Sequence, residues 1–428
     1  MTADALDRLL NGTFADPDGG PPLYVPTRAV EIAETLAGRE AELVEGLDLG
    51  GRLAVVSDVN THNALGARVV RALAGRVAVT EVRLPGRPHA DTGSVEAIRR
   101  ESSGCDALIA VGAGTINDLC KYAAARDGKD YAVFGTAPSM NGYTSVNASI
   151  TVDGHKKSLP AVAAAGVFLD LEVLAKAPTR MIRSGLGDSL CRPTAQADWL
   201  LAHLLLDQPY REAPFALLKT DEAELFANSE ALLCGDLDAM RTLARTLVLS
   251  GFGMTLCGGS YPASQGEHLI GHYAEMMAPA DWPGTFHGEQ IAVTTLTMAR
   301  LQERMLDGAA PRLLRSAVSE GDVVEHFGAS LGAACWAAFA AKRFDAAQTE
   351  ALNARLEENW DSFVARLRAV SRPAAALEAV LARAAAPRRP EDLHWPQDFY
   401  RDAVSHAREI RDRYTFLDLA ADSGMSVI

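Results

Sequence analysis

The chain has no CxxC pair, no long apolar run, no excess of basic charge and little lysine. Each absence narrows what it can be. Its six cysteines (Cys105, Cys120, Cys191, Cys234, Cys257 and Cys335) are dispersed over 428 residues. That spacing fits neither a zinc ribbon nor a disulfide framework, and it predicts a reducing, cytoplasmic setting. No stretch of about 20 apolar residues occurs, so no membrane-spanning helix is expected. Residues 1–22 lack a basic stretch followed by an apolar one, so no signal peptide is expected there. Acidic residues outnumber basic ones, 55 against 41, for a net charge of −14. A nucleic-acid partner, which calls for a basic face, is therefore not expected. Only seven of the 41 cations are lysine, which reads as genomic bias.

What is present suffices for a large core. Hydrophobic residues make up 48% and charged residues 22%, which excludes a disordered chain. At about 100–200 residues per domain the length suggests two or three domains. The first third alternates apolar strand patterns with helical ones. Leu53–Ser57, Val77–Leu84, Ala107–Val111, Tyr131–Phe134 and Val167–Leu169 read as strands; Asn63–Ala74, Thr92–Ser102 and Thr115–Arg126 read as helices. Such alternation predicts a parallel sheet covered by helices. Asp153-Gly154, between the extended segments Val146–Val152 and His155–Leu159, predicts a tight hairpin. Beyond about residue 180 strand patterns fade. Gln290–Leu306 reads as a helix, as does Asp188–His203. Leu352, Leu356, Trp360, Phe363, Leu367 and Val370 recur at helical spacing, a stripe suited to core packing. The expected architecture is an α/β domain over 1–183 and an all-α domain over 184–428.

Three segments could carry chemistry. Gly112-Ala113-Gly114-Thr115 follows a strand and opens a helix, where free N–H groups and the helix dipole favour a phosphate. Glycines there also serve purely steric ends, and the spacing matches neither the dinucleotide fingerprint nor the P-loop. Asp58, just past a strand, suits a ribose hydroxyl or a helix cap. The loop 136–145 follows another strand and is rich in small polar groups, as a ligand loop or an ordinary turn would be. In the helical half, His268 and His272 stand four apart on one helix face, Asp188 lies upstream and His287 downstream. One carboxylate and two or three imidazoles suit a borderline metal with a position left open. Single histidines also serve as ordinary hydrogen-bonded polar residues.

Taken together, GAGTINDLCKY (112–122), TAPSMNGYTS (136–145), GHKKSLPA (154–161), SGLGDSLCRPTAQADW (184–199), SGFGMTLCGGSYPASQGEHLIGH (250–272) and TFHGEQIAV (285–293) resemble the sn-glycerol-1-phosphate dehydrogenases. These belong to the superfamily of iron-containing alcohol dehydrogenases, glycerol dehydrogenases and dehydroquinate synthases. The resemblance implies an N-terminal dinucleotide-binding domain, a C-terminal helical domain and a site in the cleft between them. It implies NAD or NADP at Asp58, Gly112, Gly114, Thr115, Asp118, Thr136, Ser139 and Ser145. It implies one divalent metal (zinc, nickel or iron) on Asp188, His268 and His287, with His272 near the substrate as proton relay or as a supporting hydrogen-bond partner. The implied reaction is reversible hydride transfer between the nicotinamide and dihydroxyacetone phosphate, a step of phospholipid metabolism. A dimer is implied as well.

Two positions depart from the wider pattern. Asn141 stands where the family usually has Asp, which removes a charge and replaces an acceptor by a donor. Arg192 stands where iron-type alcohol dehydrogenases place a fourth, histidine ligand. The glycerol-phosphate branch has a basic residue there, and Arg192, Lys156 and Lys157 become candidates for the substrate phosphate. For the two lysines a solvated hairpin surface is the alternative. Other readings are a dehydrogenase of another polyol or alcohol, a cyclase of the dehydroquinate-synthase type, or a degenerate binding protein.

Overall fold

The computed structural model describes residues 4–152, 155–279, 282 and 284–427. They pack as two compact units. One comprises the described residues of Met1–Ser189 with Glu212–Ser260; the other comprises Leu190–Arg211 with those of Tyr261–Ile428. The boundary expected at 183/184 falls inside the helix Thr179–Leu190, and the chain returns to the first unit for Glu212–Ser260.

The first unit holds eight strands: β1 Ala29–Ala33, β2 Arg52–Asp58, β3 Ala78–Leu84, β4 Ala107–Gly112, β5 Asp130–Gly135, β6 Asn147–Val152, β7 His155–Pro160 and β8 Gly166–Asp170. Six form one sheet in the order β1-β8-β5-β4-β2-β3, and every pairing in it is parallel. β4 and β8 are buried along their whole length, as strands covered on both faces must be. β1 is the strand the sequence pattern misses. Its five residues are all half-buried and Glu31 interrupts the apolar run, so it reads as loop. β6 and β7 form the expected antiparallel hairpin, with Val152 opposite His155; its Asp153-Gly154 turn lies outside the described residues.

Two expected helices differ from expectation. After β2 the segment read as Asn63–Ala74 is a turn of α-helix at Val59–Thr61, a π-type turn at His62–Gly66 and then α-helix over Ala67–Leu73. The segment read as a single helix over Asp188–His203 is two helices, Thr179–Leu190 and Arg192–Leu206, with Cys191 between them. Pro193 explains the break, because it has no N–H to give to the carbonyl four residues back. Asp188 therefore sits in the last turn of one helix while Arg192 opens the next.

Among its described residues the regular elements of the second unit are all helices, joined by loops. Leu356, Trp360, Phe363 and Leu367 of the helix Ala346–Val370 are buried in its core, with Leu352 and Val370 packed at the margin. The helix Glu320–Ala340 is long and apolar enough to cross a membrane by length and composition. Here it is interrupted at Gly328, whose φ is +77°, and its Val323, Phe327, Cys335 and Phe339 belong to the core of the unit.

Candidate active site

In the first unit the chain leaves β2 toward β3 on one side, and leaves β4 toward β5 on the other. In parallel sheets ligands bind outside the carboxyl ends of the strands where the order reverses in this way. Asp58 closes β2 and Gly112 closes β4, its neighbour. Asp58 realises the capping alternative: Oδ1 accepts from the N–H groups of Asn60 at 2.7 Å and Thr61 at 2.9 Å. Its Oδ2 accepts no hydrogen bond among the described residues. At Gly112 an added Cβ would lie 2.5 Å from Ile116 Cβ, so the steric reason for glycine holds there. Gly114 and Thr115 form the first turn of the helix Gly114–Asp127, with Thr115 exposed.

Asp118 is tied into the scaffold. Its Oδ2 accepts from Ser149 N–H at 3.0 Å and its Oδ1 stands 3.5 Å from Lys121 Nζ. Lys121 is wholly buried and donates to the carbonyl of Asn147 at 3.0 Å, to Ser145 Oγ at 3.1 Å and to the carbonyl of Gly142. Burial pushes its ammonium below the ordinary lysine range, with Asp118 opposing. Sequence reading passed over Lys121; the signal was a lone lysine among apolar neighbours of one helix.

The loop after β5 is clamped. Thr136 N–H donates to the carbonyl of Gly112 at 3.1 Å, Ser184 Oγ donates to the carbonyl of Ser139 at 3.0 Å, and Thr144 Oγ1 donates to the carbonyl of Val248 at 2.6 Å. Glycine makes the close approach possible. An added Cβ at Gly185 would run into the Pro138 carbonyl oxygen, and one at Gly251 into Thr144 Oγ1. The clamped loop aims the backbone N–H of Asn141 at Asp188 Oδ2, 2.9 Å away, while Asn141 Nδ2 donates to Ser250 Oγ at 3.3 Å. Asp188 is buried. Lys157 stands exposed on β7; the side chain of Lys156 lies outside the described residues.

In the second unit the helix Gly266–Met277 carries His268, His272 and Glu275, and His287 opens the helix His287–Leu306. The three imidazoles converge. Ring centroids are 5.0 Å apart for His268 and His287, 5.7 Å for His268 and His272, and 5.9 Å for His272 and His287. His268 Nδ1 lies 2.8 Å from Glu267 Oε1. A carboxylate only accepts, so this nitrogen carries the proton and Nε2 keeps its lone pair for a ligand. Glu275 Oε1 stands 3.7 Å from His287 Nδ1. Burial, then Arg411, push His272 well below the ordinary histidine range, with Glu275 opposing; it is neutral at neutral pH. Cys191, Glu267 and His268 also bring one ligand atom each within 4.8 Å of one another. Imidazoles with carboxylates behind them fit a borderline divalent cation. Arg192 is buried at the start of its helix. Sequence reading did not single out Glu267, Glu275 or Cys191, because motif spacing marks ligands and not the groups behind them.

The family model described as iron-containing alcohol dehydrogenase matches residues 31–178. The glycerol-1-phosphate dehydrogenase (NAD(P)+) of Halalkalibacterium halodurans is 32% identical over 283 residues, 64% of this chain and 71% of that protein. The protein of the same name from Thermococcus kodakarensis is 32% identical over 276 residues, 64% of this chain and 77% of that one. This chain belongs to the glycerol-1-phosphate dehydrogenase family. Solved structures support the family fold. Maleylacetate reductase from Agrobacterium tumefaciens matches with a TM-score of 0.60 at 18% identity, covering 96% of this chain and 99% of that one. Sulfoacetaldehyde reductase from Bifidobacterium kashiwanohense, solved with NAD+, matches with a TM-score of 0.59 at 14% identity, covering 97% and 98%. For this member of the glycerol-1-phosphate dehydrogenase family, the matched model takes in Asp58, the Gly112–Asp118 turn and the whole 136–145 loop.

Proposed function

We propose that this member of the glycerol-1-phosphate dehydrogenase family catalyses the reversible reduction of dihydroxyacetone phosphate to sn-glycerol 1-phosphate with NADH or NADPH. Its relatives are named glycerol-1-phosphate dehydrogenase (NAD(P)+), which supports this reading. The structural observation that carries the reading is the cluster of His268, His272 and His287 with carboxylates behind two of them.

The cofactor belongs at the sheet reversal, beside Asp58, Gly112, Gly114 and Thr115, with Thr136, Ser139 and Ser145 on the nicotinamide side. Asp118 contributes by holding Lys121 and the β6 strand, which shape that loop. The carboxylate of Asp58 favours NAD, since it would repel a 2′-phosphate. Asp188, His268 and His287 are the residues that would hold one divalent cation, zinc, nickel or iron. When bound, the two groups supply a hydride for the carbonyl carbon and stabilisation of the charge that develops on its oxygen. Glu267 holds the His268 ring and its tautomer, and the N–H of Asn141 holds the Asp188 carboxylate. His272, neutral and beside both imidazoles, holds or passes the proton that the oxygen takes up. Asn141, Arg192, Lys156 and Lys157 are the substrate-side residues. A cytoplasmic homodimer completes the reading, the cytoplasmic setting being in keeping with cysteines that form no disulfide among the described residues.

The test is an assay of purified protein for bound metal, with NADH and NADPH oxidation followed on dihydroxyacetone phosphate and on unphosphorylated dihydroxyacetone. Stoichiometric oxidation that needs the metal and prefers the phosphate ester is the expected result. Turnover of a phosphorylated substrate without net NADH loss would point to a cyclase. Cofactor binding without any turnover would point to a degenerate binding protein.

A further inference from the structure

We propose that Asp198 is a positioning residue for the imidazole cluster, and that it couples the start of the helix carrying His268 to the C-terminal segment 413–422. That His268 holds a cation rests on the functional reading above. The coupling itself stands on contacts within the second unit.

Asp198 lies in the middle of the helix Arg192–Leu206 and is wholly buried. Its two oxygens meet three other helices. Oδ2 accepts from the backbone N–H of Gly266 at 2.9 Å. Oδ1 accepts from the backbone N–H of Phe416 at 3.0 Å and from Gln302 Nε2 at 3.2 Å. Gly266 and Phe416 are each the first residue of a helix, so neither N–H has an acceptor within its own helix. One carboxylate therefore serves both starts. Glycine permits the approach at 266: an added Cβ would lie 2.8 Å from Asp198 Oδ2 and 2.4 Å from Met298 Cε. The C-terminal segment touches the same region a second time. The Arg413 guanidinium sits over the Tyr261 ring at 4.6 Å and donates to the carbonyl of Ser264, just ahead of the helix Gly266–Met277. Buried ion pairs fix that segment. Lys342 Nζ donates to the carbonyl of Arg413 at 2.8 Å and pairs with Asp418 at 2.8 Å, and Arg408 pairs with Asp422 at 2.8 Å.

From Gly266 the constraint reaches His268 through Glu267. Glu267 Oε1 accepts from the Gln265 N–H at 2.9 Å as well as from His268 Nδ1 at 2.8 Å, so the backbone at 265–266 sets where the carboxylate behind the ring sits. Without Asp198 the Gly266 N–H is buried and unpaired, which costs more than the bond itself contributes. The first turn then shifts toward another partner and takes Glu267 and the His268 ring with it. Ligands tolerate displacements of only about 0.5 Å. The coupling is reciprocal: a cation on His268 steadies the first turn, hence Asp198, hence the start of the helix Phe416–Asp422.

The experiment compares the full-length wild type with Asp198→Asn, which keeps the volume but turns an amide N–H onto one of the two backbone N–H groups. Leu377→Ala, buried on the helix Ala374–Arg383, serves as a control that weakens the same unit by a cavity. The readouts are zinc affinity, by competition with a chelator, and hydrogen exchange of residues 413–422 with zinc and with chelator. Both are taken where all three proteins are folded. Zinc affinity is expected to fall about tenfold in Asp198→Asn and to stay at the wild-type level in Leu377→Ala. Zinc should slow exchange at 413–422 in wild type and not in Asp198→Asn. Wild-type affinity in Asp198→Asn, an equal loss in Leu377→Ala, or zinc protection of 413–422 that survives in Asp198→Asn would overturn the assignment. If Asp198→Asn does not fold, wild type decides: zinc protection of 413–422 supports the coupling and its absence overturns it. If wild type binds no zinc, nickel or iron, the metal reading falls by itself. Exchange then judges the coupling: Asp198→Asn that speeds exchange at both 266–272 and 413–422 supports it, and an effect on one segment or neither overturns it.

Discussion

Glu267 Oε1 accepts from His268 Nδ1 at 2.8 Å, and both side chains are buried. The bond fixes which imidazole nitrogen is free, and a full negative charge behind the ring makes that nitrogen a stronger donor to a cation. Glu267→Gln keeps the shape and removes the charge. Divalent-metal affinity is expected to fall about 10–100-fold, measured by competition with a chelator of known affinity. An affinity equal to wild type would show that Glu267 only caps its helix.

Gly185 lets the Pro138 carbonyl lie against the helix Thr179–Leu190. Gly185→Ala puts a methyl group where that oxygen sits, so the 136–145 loop must move and take the Asn141 N–H away from Asp188. Overpacking of this kind costs about 1–3 kcal/mol, and the upper end is expected because backbone gives way less readily than a side chain. Thermal unfolding should show the loss, with a fall in kcat/KM at temperatures where the variant is still folded. A variant as stable and as active as wild type would contradict the clamp.

Asp58 does two things that one substitution can separate. Its Oδ1 caps the turn after β2, and in the proposed function its charge opposes a 2′-phosphate on the cofactor ribose. Asp58→Ser keeps a capping oxygen, so stability should change little, whereas Asp58→Ala should cost about 0.5–2 kcal/mol. Both remove the charge that opposes a 2′-phosphate. The kcat/KM ratio for NADH over NADPH should therefore fall by about tenfold or more in Asp58→Ser. If the ratio stays as in wild type, the cofactor is selected elsewhere.

His326 and His406 stack with ring centroids 3.7 Å apart. The hydrogen bond to Glu409, at 3.1 Å, raises His406 above the ordinary histidine value, with the Glu409 and Asp402 charges adding to it and burial and Arg408 opposing. His326 is lowered, by burial first and then by His406. A raised histidine stabilises the fold fully below its unfolded value of about 6.5, and that contribution is lost as pH rises through the folded value. His406→Gln should therefore lower the melting temperature more at about pH 5.5 than at about pH 8.5. An equal decrement at both pH values would mean that the ring contributes by packing alone.

The parallel sheet was legible because Leu53–Ser57, Ala107–Val111 and Tyr131–Phe134 are runs that only a strand covered on both faces tolerates. The helical second half was legible from the 352–370 stripe, which packs as the spacing predicts. β1 was not legible, because an edge strand with Glu31 at its centre carries no periodic signal; pairing with β8 creates it. The break at Cys191 was visible in Pro193 but overridden by the apolar pattern on either side. Sequence by itself determined the family, the glycine turn after β4 and the residue types that suit a cation, since these lie in local motifs whose order survives without coordinates. Tertiary structure alone decided what stands behind those motifs: Glu267 turned back onto His268, Lys121 beneath the loop, and the Val248 carbonyl clamping Thr144. Local spacing is set by the helix and strand repeats, whereas the direction a side chain takes and the partner it meets on another element are fixed only when the chain packs.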